Sequence, residues 1–351
     1  MSSQIWVLGA TGRSGRGIAQ RLAATGQQVV LAGRDPSRLS TIAADLDNPE
    51  VVSGSFEMLL DRLRSAAPAV VVNTIGPFAR TSAEVIEACP PGTHYVDIGN
   101  ELPGVKAVLD GHDRAVADGR TAVTGGGFGV LATESVILRI CQDRSAPTRV
   151  RVDAIPSIAT EKGVIGSALA GSMLDGAPEG GQRVEHGRLV RFPIAGARQE
   201  LTTPSGDIVH TAALPTGDLL AAWRASNAES VVSATSAFPS GPAIRLGFPM
   251  VSLLMRSSVL RRFAIERVAG ISIPERERPR EFSWGHAHAE WADGTIRDGW
   301  LRLGDAQDFT EAAAAEIARR LLGRQAPAGA YTPGALFGAS LATDIGGEFV
   351  L

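Results

Sequence analysis

The residues best suited to chemistry stand near the start of the chain. Gly9, Ala10, Thr11, Gly12, Arg13, Ser14 and Gly15 form a G-x-x-G-x-x-G loop. It lies between a short apolar run, Ile5 to Leu8, and a stretch with Ile18, Ala19, Leu22 and Ala23 on one helical face. In that strand–turn–helix setting each glycine has a role. Gly9 permits the tight turn, Gly12 lets backbone approach a pyrophosphate, and Gly15 lets helix and strand pack closely. The helix N-terminus then directs free N–H groups at the phosphates. The spacing predicts a dinucleotide site.

The end of the second strand selects the cofactor. An NAD site places a carboxylate there for the ribose 2′-hydroxyl. This chain has Ala32-Gly33-Arg34, and the next carboxylate, Asp35, reads as a helix cap before Pro36. Arg34 presents a planar fork that suits a 2′-phosphate, with Arg13 and Arg38 as supports. NADP(H) is the expected cofactor.

The acid–base chemistry is less localised. A Tyr-x-x-x-Lys pair is absent, because Tyr95 and Tyr331 are followed four positions later by Gly99 and Ala335. Tyr95 and Asp97 alternate on one face of a strand end, near Asn100 and Glu101, and are candidate catalytic residues; Asp97 as a simple loop cap is the alternative. Lys162 is the one lysine beyond residue 130. It is a candidate contact for an acidic substrate group, or a surface partner of Glu161. His286, His288 and Glu290 share a strand face with zinc-like spacing, but a polar face explains them better, so no metal is expected. His112, His186 and His210 show no partner in sequence.

These residues need elements to hold them. Apolar runs at 5–8, 29–32, 51–52, 69–73, 94–98 and 121–124 alternate with helical stretches, including 82–89. That order predicts a doubly wound parallel sheet with ligands at the strand C-termini. After Gly129 the character changes. A helix over 130–141, a strand over 149–155 and short strands near 188–193 and 231–237 predict an α+β unit. Strands over 281–291 and 295–303 form a hairpin around Asp293-Gly294, because Asp-Gly is a two-residue turn signal. Asp308 and Glu311 are read as a capping box for a helix over 309–322. The segment 248–268 is apolar with interspersed arginines. It is a candidate amphipathic helix over the cleft, a membrane-surface contact, or a docking face for an acyl carrier or second subunit.

Composition narrows the class. The 351 residues suggest about two domains at ~150 residues each. Net charge is −3, which offers no basic surplus for nucleic acid. Mean hydropathy is +0.07, and no apolar run is long enough to span a bilayer. Cys89 and Cys141 stand far apart and form no metal-type pair, which suits a reducing compartment. No signal peptide is visible, so a cytoplasmic location is expected.

Several segments in order resemble the saccharopine dehydrogenase-like NADP-binding family. They are the 9–15 loop, Gly33-Arg34-Asp35, Val72 to Phe78, His94-Tyr95-Val96-Asp97-Ile98, and the glycine turn before Phe128-Gly129. Beyond residue 130, Pro204 to Asp207, Phe282 to Gly285 and Tyr331 to Gly334 resemble short bacterial members, and the layout is similar to trans-acting enoyl reductases. The resemblance implies a Rossmann domain over 1–129, an α+β substrate or dimerisation domain over 130–325, and a segment over 326–351 that packs back on the first. It implies that Thr74, Ile75, Gly76, Pro77 and Phe78, with Asn73 before them, line the nicotinamide and ribose side. This loop also follows the end of strand four, as a cofactor wall must. The expected function is NADPH-dependent hydride transfer to a C=N or conjugated C=C bond of a small substrate, hydrophobic or carrier-bound, with a homodimer as the candidate assembly. An imine route calls for arginines facing substrate carboxylates; an enoyl route calls for an apolar channel and an oxyanion donor. The alternative is a non-catalytic NADPH-binding sensor or scaffold.

Overall fold

A computed structural model describes residues 3–175, 180–238, 250–323 and 326–351. The first part builds six strands in sequence: β1 (Ile5–Leu8), β2 (Val29–Gly33), β3 (Glu50–Ser53), β4 (Val70–Asn73), β5 (His94–Asp97) and β6 (Thr121–Val123). The helices between them are α1 (Arg13–Ala24), α2 (Pro36–Ala44), α3 (Phe56–Ala66), α4 (Phe78–Ala88), α5 (Leu102–Asp110) and α6 (His112–Ala117). All pairs are parallel, in the order β6-β5-β4-β1-β2-β3. β1, β2 and β4 are buried throughout, which is why their sequences are continuously apolar. The order reverses between β1 and β4, and a ligand crevice opens there at the strand C-termini.

Helix α7 (Phe128–Cys141) leads out of this sheet and lies against a second, mixed one. Gly285 sits so close under α7 that a Cβ would come 2.8 Å from the Ala132 carbonyl. The second sheet centres on β7 (Arg149–Ile155), flanked by a parallel strand, Ser230–Thr235, and an antiparallel one, Ser283–Glu290. One continuous apolar core runs from Ile5 through α7 to Leu303 and Leu321, so the two sheets share their packing.

The chain returns to the first sheet at the helix Ala306–Leu322, which packs on α1, β4 and β5. Strand Gly329–Tyr331 then adds to β6 in parallel, while the final strand Glu348–Val350 pairs with Ile296–Leu303 of the second sheet. The tail thus ties both sheets together.

Four local expectations are corrected. The helix at 82–89 begins at Phe78, with Pro77 at its N-cap. The hairpin loop has three residues, Ala292-Asp293-Gly294: Trp291 N–H donates to Thr295 O at 2.9 Å and Gly294 takes φ +82°. The cap at 308 is Asp305, whose carboxylate accepts from the N–H groups of Gln307 and Asp308, so the helix starts a turn earlier. The segment 248–268 is not one helix. Phe248 lies outside the described residues, 250–255 is helical, and a second helix, Ser258–Ala269, restarts after a break where Ser257 caps Leu260.

Candidate active site

The loop after β1 has the geometry of a pyrophosphate cradle. Gly9 takes φ +82°, a left-handed conformation that favours glycine. A Cβ on Gly15 would lie 2.3 Å from the Gly9 carbonyl oxygen, so only glycine lets α1 begin this close to the loop. The N-cap of α1 is Gly12, which has no side chain to occupy the helix's first N–H groups. The residues fit a dinucleotide. Those N–H groups and Gly12 would hold the pyrophosphate, and Arg34, at the end of β2, would meet the 2′-phosphate.

The three arginines separate in role. Arg34 is exposed and, among the described residues, makes no hydrogen bond or ion pair. Arg38 donates to Thr11 O at 3.2 Å and braces the loop. Arg13 reaches the other way, donating to Ala159 O at 2.8 Å and standing 3.6 Å from Glu161. It bridges the two sheets rather than supporting Arg34.

The loop after β4 abuts the first. Thr74 donates to the Leu8 carbonyl through its hydroxyl at 2.7 Å, and a Cβ on Gly9 would meet that hydroxyl oxygen at 2.6 Å. Ile75 also lies against Gly9, with its Cγ1 3.1 Å from where a Cβ would stand. Asn73 and Phe78 stand behind the loop. Asn73 is fully buried; its carbonyl oxygen accepts from Ile75 N–H at 3.0 Å, and its amide donates to Thr81 and Tyr95. Phe78 packs beneath Gly99, and its N–H donates to Glu101. Both shape the turn from below.

Tyr95 and Asp97 do not line the crevice. Both are fully buried at the end of β5. Asp97 accepts from Ser82, Tyr95, Thr124 and the N–H groups of Gly99 and Gly125, at 2.9–3.1 Å. Burial raises the Asp97 carboxyl above its ordinary range against these five donors. Burial and the Asp97 charge likewise push the Tyr95 phenol well up. The pair fixes the loops after β4, β5 and β6, which makes both positioning residues.

The crevice continues into a cleft of roughly 450 Å³ between the sheets. Its walls are largely apolar, with Ile98, Phe128, Ile158 and Leu214 among them. The polar groups are Asn100, Thr216, Asp218, Thr235, Gln307 and Thr310. Gln307 donates to Ser14 of the cofactor loop at 2.8 Å and joins the two halves of the site. Asp218 is buried and accepts from Thr216 and, at 3.0 Å, from Thr133; burial raises its carboxyl. Sequence reasoning missed Thr216, Asp218, Gln307 and Thr310. They come from distant helices, and each reads locally as an ordinary helix-start or surface residue.

Two candidates fall elsewhere. Lys162 is exposed beside Val164 and Glu275, while Glu161 faces Arg13 and Arg16. His286 is buried in the second sheet between Asp153 at 2.9 Å and Asp298 at 3.1 Å, and His288 reaches the same Asp298 at 3.0 Å. Burial alone would lower the His286 pKa, but the two carboxylates outweigh it and raise it. Both ring nitrogens are thus engaged with carboxylates. Among the described residues no group of His, Cys, Asp and Glu is arranged to hold a metal ion.

Residues 5–123 match the saccharopine dehydrogenase NADP-binding domain family. The trans-acting enoyl reductases of Mycobacterium bovis and Mycobacterium tuberculosis are 32% identical over 122 residues, 32% of this chain. The match spans 29% of those relatives' length. Over the whole of both chains, the fold is similar to apo saccharopine dehydrogenase (L-Glu forming) from Saccharomyces cerevisiae, with a TM-score of 0.64 at 13% identity. The first domain is a saccharopine dehydrogenase-like NADP-binding domain, and its cofactor is NADP(H). No described helix is long and apolar enough to cross a membrane.

Proposed function

We propose that this chain is an NADPH-dependent reductase acting on a conjugated C=C bond of an uncharged, largely apolar substrate bound in the cleft between the sheets. One observation carries the reading: the described lining of the cleft contains no Lys, Arg or His. An imine substrate of the amino-acid type brings carboxylates, and burying these without a cation is costly. Asp218 is the one ionisable group in the described lining, and burial raises its carboxyl above the ordinary range. The enoyl-reductase similarity of the first domain supports the same choice.

In this reading residues 1–129 hold the cofactor, 130–325 supply most of the opposing cleft wall, and 326–351 tie the two. NADPH supplies the hydride. The protein orients the acceptor and stabilises the charge that develops on its conjugating oxygen. Asn100 and Thr235 are the side-chain donors the cleft offers, because Thr216 and Thr310 give their hydroxyl protons to Asp218 and the Ala306 carbonyl, and the Gln307 amide donates to Ser14 and Glu311. The apolar walls exclude water from the reacting carbon.

The test is NADPH oxidation against a panel of uncharged enoyl esters, ketones and thioesters, imino acids, and simple carbonyls. Enoyl compounds should be turned over. Ala237→Trp, at an exposed position of the lining, should block turnover while NADPH still binds. Preferential turnover of imino acids would overturn the bond assignment. Tight NADPH binding with no turnover across the panel would favour a non-catalytic sensor or scaffold.

A further inference from the structure

The helices 250–255 and Ser258–Ala269 leave an apolar surface uncovered. Met250, Val251, Leu253, Leu254, Val259, Leu260, Phe263 and Ile271 are each 39–62% exposed. Large side chains at this density, within one continuous stretch of chain, are unusual on a monomer's surface. The helix Ser258–Ala269 has no buried residue, although it packs on helix α8 (Gly166–Asp175). Met255 turns inward in the same stretch, but the other apolar side chains named face outward.

Its charge is one-sided. Between residues 250 and 271 stand Arg256, Arg261, Arg262 and Arg267 against a single acid, Glu266, in a chain whose net charge is −3. Arg267 lies over the Phe263 ring at 5.1 Å, so an exposed apolar group and a cation share one site. The following stretch, 275–281, is balanced, with three glutamates and three arginines. The positive excess thus coincides with the apolar patch.

We infer that this face docks on an anionic lipid bilayer, with Leu253, Leu254, Leu260 and Phe263 in the interface and the arginines at the headgroups. Exposed apolar side chains beside an excess of arginines suit an anionic bilayer, which offers negative headgroups above an apolar interior. A second copy fits poorly, because a two-fold contact would bring the same arginines against each other. The position is also apt. Helix α8 also meets the loop after β4, where a Cβ on Gly171 would stand 3.4 Å from Pro77. Helix α8 thus touches both the proposed bilayer helix and the proposed nicotinamide turn, where an apolar substrate drawn from lipid would be needed. The docking itself stands on the patch and does not depend on which bond is reduced.

The test is co-sedimentation of the full chain with vesicles of phosphatidylcholine alone or mixed with phosphatidylglycerol, at low and high salt. The protein should pellet with the anionic vesicles and be released by salt. Arg256→Gln with Arg262→Gln should lower partitioning roughly thirtyfold, at about 1 kcal/mol per basic residue near an anionic surface. Leu260→Ser with Phe263→Ser should abolish it. NADPH titration of the same samples reports that each variant is folded, and separates failure of docking from failure of the cofactor site. Absence of binding by the wild-type chain, or equal binding by the variants, would overturn the proposal. So would a dimer seen by ultracentrifugation that the Leu260/Phe263 variant dissolves without any change in vesicle binding.

Discussion

The Tyr95 hydroxyl donates to Asp97 Oδ2 at 2.9 Å, and neither side chain reaches solvent. Tyr95 also accepts from the Asn73 amide, and Asp97 from the N–H groups of Gly99 and Gly125. A pair that looks catalytic in sequence is therefore the knot that fixes three loops around the site. Tyr95→Phe should leave Asp97 one donor short and the Asn73 amide without that acceptor, at a cost of about 1–3 kcal/mol. Urea unfolding measures the loss. The pH profile of kcat should keep its shape; disappearance of a limb would mean that Tyr95 moves a proton in the reaction.

Gly15→Ala tests the cradle. The added methyl would lie 2.3 Å from the Gly9 carbonyl oxygen, and backbone cannot swing aside as a side chain can. Helix α1 must shift, taking its N-terminal N–H groups off the pyrophosphate position. NADPH affinity should fall at least about tenfold, which corresponds to ~1.4 kcal/mol. Titration of nucleotide fluorescence reads the change, and unaltered affinity would place the pyrophosphate elsewhere.

The first sheet was legible in sequence because its signals are local. Buried parallel strands are continuously apolar, and the glycine loop, Asp35 cap and Arg34 lie next to the strands that position them. The substrate side was not. Asn100, Thr216 and Gln307 meet only through the second sheet and the helix Ala306–Leu322, and no spacing rule links residues so far apart. Tyr95 and Asp97 stayed open in sequence between a catalytic role and a loop cap for a related reason. Alternation along a strand says that two side chains share a face, but not whether that face is a cleft or a core. Asp308 and Glu311 matched the capping pattern, yet Asp305 caps because the helix starts a turn earlier.

Glu134 couples the tail to pH. It is fully buried in α7 and accepts from the Thr332 hydroxyl and the N–H groups of Gly334 and Ala335 at 2.7 and 3.1 Å. Burial raises its pKa from 4.5 to about 7, and these donors oppose the rise. Between those values the native state keeps a proton that the unfolded chain has released. Stability from this group is therefore lost as pH rises from 4.5 to about 7. Over that window the wild type should lose about 3 kcal/mol more than Glu134→Gln. Parallel denaturation curves of the two proteins check it, and equal pH dependence would show that Glu134 stays ionised throughout.

The account rests on NADPH lying along the Gly9–Gly15 loop with its 2′-phosphate at Arg34. The most direct test is a fluorescence titration with NADPH and with NADH, on the wild-type chain and on Arg34→Ala. Arg34 is exposed, so the substitution should leave the fold intact. The wild type should bind NADPH more tightly than NADH, and the variant should lose roughly tenfold or more for NADPH alone, as expected for a charge-assisted contact of about 1.5–3 kcal/mol. Equal loss for both nucleotides, or no loss for either, would contradict the assignment of the 2′-phosphate to Arg34.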